Sequence, residues 1–300
     1  RIEAAGSKYS FVINTALTTR GKQRLAAEFD LLKMFQAKFR KHYTPKVWFS
    51  GSSHILNIQG KRIMCPMFLG EWFDDFHEFH LSFNSNSDDF QLILWDLERG
   101  FRSLSKKEAH EIYKQAAFIL TYYYNVETFE EVFPWHHASG DFIVRIDEEQ
   151  VETKLVAVRQ YSARPIFPNA SLNNRLQALL LFLANLTIRM RLDRIDGVGE
   201  VAWVGSDCLV PTLQGFLEAL NKKAAESMAD TDLLVSITNW FKTVELPDFV
   251  NLFKAVSESY NENAPDHPVI MNNFVDHIYE TYNVIHSLTD SFIHSENRLY

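Results

Sequence analysis

The chain has 300 residues, 46% of them apolar and 23% charged, a balance that fills a large core and excludes a disordered polymer. Its formal net charge of −8 excludes a nucleic-acid footprint built on excess Lys and Arg. The two cysteines, Cys65 and Cys208, are far apart and outside any Cys-x-x-Cys, which excludes a disulfide scaffold and a thiolate zinc cluster and fits a cytoplasmic protein with two buried thiols.

In chain order, residues 9–15 are predicted as a strand that runs into a turn at Thr18, Thr19 and Gly21. A helix is expected over 21–40, because Leu25, Glu28, Leu32, Phe35 and Phe39 recur at steps of three and four. Glu28 therefore belongs to the buried stripe, where a carboxylate needs a cation or hydrogen-bond donors. Lys33, Lys38, Arg40, Lys41 and Lys46 read as its solvated face and the segment after it. Short strands follow at 46–49, 54–58 and 62–69, divided by turns at Gly51 and Gly60. Residues 76–83 alternate, with Phe79, Leu81 and Phe83 on one face, and 90–95 read as the hairpin partner across a polar turn at 84–89. Ser105-Lys-Lys-Glu108 is a capping box that opens a helix ending near Asn125. Beyond Pro134, strands are expected at 142–146 and 155–161, joined by an acidic turn at 147–149. From about Leu172 only helices are expected, at 172–192, 211–228, 231–243, 247–263 and 269–290, with Gly197-Val-Gly199 as a plain turn. The longest apolar run, 178–186, is at most half of the about 18–20 residues of a membrane span, and no secretory signal is read. Arg1 is no initiator methionine, so a trimmed chain is expected.

The fold class read from this order is α+β and two-lobed. Residues 1–70 form a small strand-rich lobe with one long helix. Residues 71–300 form a larger, mainly helical lobe holding the hairpin 76–96, a central loop at 134–147 and the helices of 172–290.

The densest polar cluster is His136, His137, Ser139 and Asp141. Gly140-Asp141 favours a tight backbone that presents the carboxylate outward, as a general base or a group that orients a nucleophile; the plainer reading is a loop held together by its own hydrogen bonds. A metal site built from His77, His80, His136 and His137 fails on geometry, because His77 and His80 point to opposite faces of a strand. Gly-x-Ser-x-Gly, phosphate-loop and Gly-x-Gly-x-x-Gly patterns are absent. Trp72, Phe73 and Phe76 with Asp74 and Asp75 read as packing rather than a cleft edge.

The order of these parts resembles the aminoglycoside and choline phosphotransferase branch of the protein-kinase-like fold. That family places a Lys on a strand, a Glu that pairs with it on the following helix, two more strands, a connector, a long helix, a catalytic loop with an Asp, and a helical lobe. The resemblance implies Lys8 and Glu28 as the phosphate-positioning pair, Gly70-Glu71-Trp72 as the connector at the nucleotide, and Asp141 of Ser139-Gly140-Asp141 in the position of the family's His-Gly-Asp. It implies ATP and Mg²⁺ as cofactors, a small-molecule substrate or a protein partner, and a phosphotransferase acting in the cleft between lobes. The chain also departs from the pattern. Where the family has a metal-holding Asn five residues after the catalytic Asp, this chain has Ile146. Where the family has a metal-binding Asp on the next hairpin, it has Val156-Ala-Val-Arg-Gln-Tyr161. Asp147 is one residue out of step, and Arg159 carries the opposite charge, so His136, His137 and Arg159 are the candidate substitutes for the metal ligands. A catalytically degenerate, pseudokinase-like binding or scaffold protein and a metal-dependent hydrolase are the alternative readings.

Overall fold

In the computed structural model, which describes residues 2–4, 7–56, 59–84, 89–148 and 150–296, the chain opens with a short antiparallel pair. This pair is β1, Ile2–Ala4, and β2, Ser7–Tyr9. The single strand expected at 9–15 is divided at Ser10, and β3 is Phe11–Thr15. Helix α1, Thr19–Lys38, starts where Thr18 accepts a hydrogen bond from the Gly21 amide through its hydroxyl, so the expected turn is an N-cap. The two strands expected at 46–49 and 54–58 are one, β4, Val47–Leu56. Gly51 lies inside it, the register shifts between Val47 and Ser50, and Ile58 lies outside the described residues. Strand β5, Arg62–Glu71, pairs antiparallel with both β3 and β4, so the sheet order is β3-β5-β4 and α1 is the crossover between outer strands. Phe29 of α1 meets Phe68 of β5 at 5.7 Å, which fixes the sheet face that the helix covers.

A second antiparallel sheet is inserted next. It has β6, Glu78–Asn84, β7, Asp89–Asp96, and a third strand the sequence did not announce, β8, Gly100–Ser103. Of the polar turn, 85–88 lie outside the described residues. Ser105 and Glu108 cap α2, Lys106–Tyr123, reciprocally. Strand β9, Glu130–Val132, leads into the loop 133–141, whose last five residues, His137–Asp141, wind as one wide helical turn. The hairpin beyond is β10, Phe142–Asp147, with β11, Gln150–Leu155, rather than with 155–161. The ladder stops at Leu155 because the Leu155 amide donates to the Tyr43 carbonyl and the Val156 amide to that of Asp141. After five residues without regular structure, β12, Tyr161–Ala163, returns to pair with β9.

The C-terminal part is helical: α3, Leu172–Met190, α4, Leu209–Ala224, α5, Met228–Thr243, α6, Leu246–Ser257, and α7, His267–Glu296. It is not only helical, since β13, Leu192–Arg194, and β14, Val201–Trp203, form a hairpin between α3 and α4. Gly197 and Gly199 lie in its turn, as expected. The core runs through both halves. Phe35 of α1 packs on Phe39, Tyr123 and Tyr161, while α3 is buried almost throughout from Ala178 to Met190. Each such buried ring or aliphatic chain contributes about 1.5–3 kcal/mol relative to exposure. Both cysteines are free and buried, and burial pushes the Cys208 thiol up to about 12. No helix among the described residues is long and apolar enough to cross a membrane.

Candidate functional site

The loop 133–141 is held by hydrogen bonds to carboxylates rather than by an outward-facing base. Gly140 has φ 80°, and the turn it allows draws Asp141 inward, leaving it 1% exposed. One Asp141 carboxylate oxygen accepts from the His136 amide at 2.8 Å and from the guanidinium of Arg159. The expectation of an exposed catalytic Asp is thus corrected: a carboxylate this deep requires a partner, and Arg159 is that partner.

Glu28 completes the arrangement from α1. Its carboxylate accepts from the Val158 amide at 3.3 Å; burial raises its pKa, and the positive charge of Arg159 pulls it back. Arg159, from the stretch between β11 and β12, is a cation whose charge reaches Glu28, while the hydrogen bond comes from Val158. The side chain of Lys8, the expected partner, lies outside the described residues, as does that of Ser139.

The two histidines separate. His137 is fully buried, 3.3 Å from the Asp193 carboxylate through Nδ1, and its burial lowers its pKa against the pull of Asp193. Asp193 also accepts from the Ala138 amide at 2.6 Å and from the Arg194 amide at 2.7 Å. His137 is thus a packed residue of the loop, against the expected catalytic role. His136 is only partly buried and lines a cavity; burial first, and then the charge of Arg189, lower its pKa.

Glu71 ends β5, where its carboxylate accepts from the Lys46 amide at 3.0 Å and fastens the start of β4. Asp147 is exposed at the tip of the β10–β11 hairpin. Six steps of extended strand, about 20 Å, lead from Asp141 to it, so the two cannot share an ion. Among the described residues no group of three or more His, Cys, Asp or Glu is placed to hold a metal. The residues present do not fit the Mg²⁺ that the resemblance implies: Ile146 offers no ligand, and a guanidinium already occupies Asp141. His77 is 3.5 Å from Asp75 and 3.7 Å from Asp96, whereas His80 lies 3.1 Å from Glu78, so the expected separation of the two histidines is what the strand produces. Phe73 and Phe76 pack at 5.3 Å, and Arg145 stacks over Phe76.

Sequence reading missed the group that surrounds His136. Arg164, Arg189, Asp193, Arg194, Tyr260 and Asp266 come from four separate segments to line one cavity of about 400 Å³. A signal existed: Arg189, Arg191, Asp193 and Arg194 crowd the end of an apolar helix, where buried charges must find partners. No family model, curated protein or solved structure matches the chain.

Proposed function

We propose that this chain is a two-lobed kinase-like protein, degenerate at its metal site, that works by binding a ligand or partner rather than by ATP-dependent phosphoryl transfer. The observation that carries the proposal is the ion pair of the buried Asp141 with Arg159, next to Glu28. Phosphoryl transfer depends on metal ions that neutralise phosphate charge; here Ile146 and the run 156–161 supply no ligand at the positions that would hold them, and a guanidinium is tied to the carboxylate in the base position.

The kinase-like part of the reading is supported by element order. A strand, a crossover helix bearing Glu28, two strands, a connector, a long helix, a polar loop, a hairpin and helices occur in the order of the family's layout, with the β6–β8 sheet and the β9–β12 pair extra to it. In that layout Asp141 keeps the base position, Ile146 stands where the metal-holding Asn would be, and the base carboxylate is tied to Arg159. Fold resemblance alone does not establish activity.

The test is thermal stability with ATP, ADP and GTP, each with and without Mg²⁺, together with ATP turnover. A native-state ligand at a hundred times its dissociation constant raises stability by about 2.7 kcal/mol, which such a scan resolves. The expected result is no Mg²⁺-dependent shift and no turnover. A Mg²⁺-dependent shift with turnover would falsify the proposal.

A second reading, a small-molecule phosphotransferase that uses His136, is favoured by one observation: the imidazole of His136, its pKa lowered by burial, lines a cavity. It requires turnover that is lost in His136→Gln and retained in Asp141→Asn.

A further inference from the structure

The cavity beside His136 does not include Asp141 or Arg159, and its lining is cationic in a chain whose formal net charge is −8. We propose that it binds a small organic molecule through an oxyanion group, a phosphate or a carboxylate, gripped by Arg164, Arg189 and Arg194.

Three guanidinium groups and two carboxylates, Asp193 and Asp266, contribute to the lining. Asp193 accepts from the Ala138 and Arg194 amides and lies 3.3 Å from His137, and Asp266 is paired with the side chain of Arg189. Arg164 and Arg189 stand over the same ring, that of Phe133, with centroid distances of 4.4 and 5.8 Å. Each guanidinium already has a carboxylate beside it, Glu131 for Arg164 and Asp266 for Arg189, so an added anion is held by the donors that remain.

Donor counting points the same way. A guanidinium has five N–H donors. Arg164 donates to the Ser259 hydroxyl at 3.2 Å and places Nε 3.5 Å from Glu131; Arg194 donates to the Gly199 carbonyl at 2.9 Å. Arg189 is 6% exposed, pairs with Asp266 through Nη1, and has no partner for Nε. A cation buried to that degree with an unmet donor is a costly element of a core and a natural element of a binding site.

The walls define the rest of the ligand. Phe133, Leu192, Val201 and Pro265 are apolar, and a volume of about 400 Å³ accommodates a ring-sized body attached to the anionic group. Tyr260 is held by its own hydrogen bond to Asn185 at 2.9 Å, so its ring forms a fixed side of the cavity.

Fluorine NMR titration of the full chain with para-fluorophenyl phosphate and para-fluorobenzoate, at constant ionic strength, tests the proposal. Saturable binding of at least one probe is expected, weakened by about tenfold or more in Arg164→Gln and in Arg194→Gln. Lys114→Gln, on a different surface, leaves it unchanged. The stronger probe identifies the phosphate or the carboxylate as the preferred group. Should Arg164→Gln fail to fold, Arg194→Gln decides, because Arg194 donates to a backbone carbonyl whereas Arg164 stands beside the buried Glu131. No saturable binding of either probe, or equal binding by wild type and the folded arginine variants, overturns the proposal. Because no nucleotide or Mg²⁺ enters the titration, its outcome is separate from that of the nucleotide test.

Discussion

Asp141 and Arg159 form the pair on which the chemistry of the loop turns. Asp141 is enclosed, whereas the Arg159 side chain is 44% exposed, so removing the cation leaves a buried carboxylate with the His136 amide as its remaining partner. Arg159→Gln is expected to lower stability by about 2 kcal/mol, less than a fully enclosed pair would lose because water reaches one side. A double-mutant cycle with Asp141→Asn checks this: a coupling energy indistinguishable from zero would show that the two side chains do not depend on each other. Glu131 carries a second residue-scale prediction. It is 3% exposed, lies 3.5 Å from Arg164, and burial raises its pKa to about 7, against the opposing pull of that arginine. A carboxyl whose folded pKa lies above its unfolded value binds its proton more tightly in the native state. Its contribution is complete below about pH 4.5 and is lost as pH rises toward 7, on the order of 3 kcal/mol in all. Glu131→Gln should flatten the stability curve between those pH values, as measured by urea titration. Neither pair could be seen in the sequence, because Asp141 with Arg159 and Glu131 with Arg164 meet only after β12 has folded back on β9. Glu28 was legible as a carboxylate on the buried stripe that needs a partner, and the Val158 amide is one such partner.

Among the elements, those specified by local chemistry were readable and those specified by distant partners were not. The capping box of α2 is a four-residue signal, and it formed as expected. The run 155–161 has strand-forming residues, yet its first amides are claimed by Tyr43 and Asp141, so strand pairing moved to 150–155. Strands β13 and β14 have three residues each and were hidden by the strong helical signal before them. Close packing of α2 and α4 rests on Gly215, where an added Cβ would stand 2.0 Å from the Lys114 carbonyl oxygen and 3.0 Å from the Phe118 amide nitrogen. Both atoms are backbone and cannot step aside. Gly215→Ala is expected to cost about 3 kcal/mol by forcing the helices apart. Gly51, in β4, has nothing within 4 Å of that position, and Gly51→Ala should stay within about half a kcal/mol. Equal melting temperatures for the two variants would refute this account of the helix contact.

Across the whole molecule, the inserted sheet is a brace rather than an appendage. His77 and Val144 exchange backbone hydrogen bonds at 2.8 and 2.9 Å, tying the start of β6 to β10. The Asp196 amide donates to the Leu81 carbonyl at 2.8 Å, and the Ser82 hydroxyl reaches the Asp196 carboxylate at 2.5 Å, tying the same strand to the β13–β14 turn. Gly197, at φ 75°, lies so near His80 that a Cβ there would stand 2.5 Å from Nδ1. Amide exchange at His77, Val144 and Asp196 should therefore be as slow as at the buried centre of α2. Faster exchange at all three would mean that the insertion opens independently of the core.

A buried carboxylate neutralised by a side chain differs from one that depends on a free ion. Arg159 is tethered to its own polypeptide, so its effective concentration beside Asp141 is set once, at folding. Chelators do not strip it, and fluctuations in divalent supply do not reach it. The junction between α1 and the hairpin is consequently constitutive, and only a chemical change to the chain itself can turn it off.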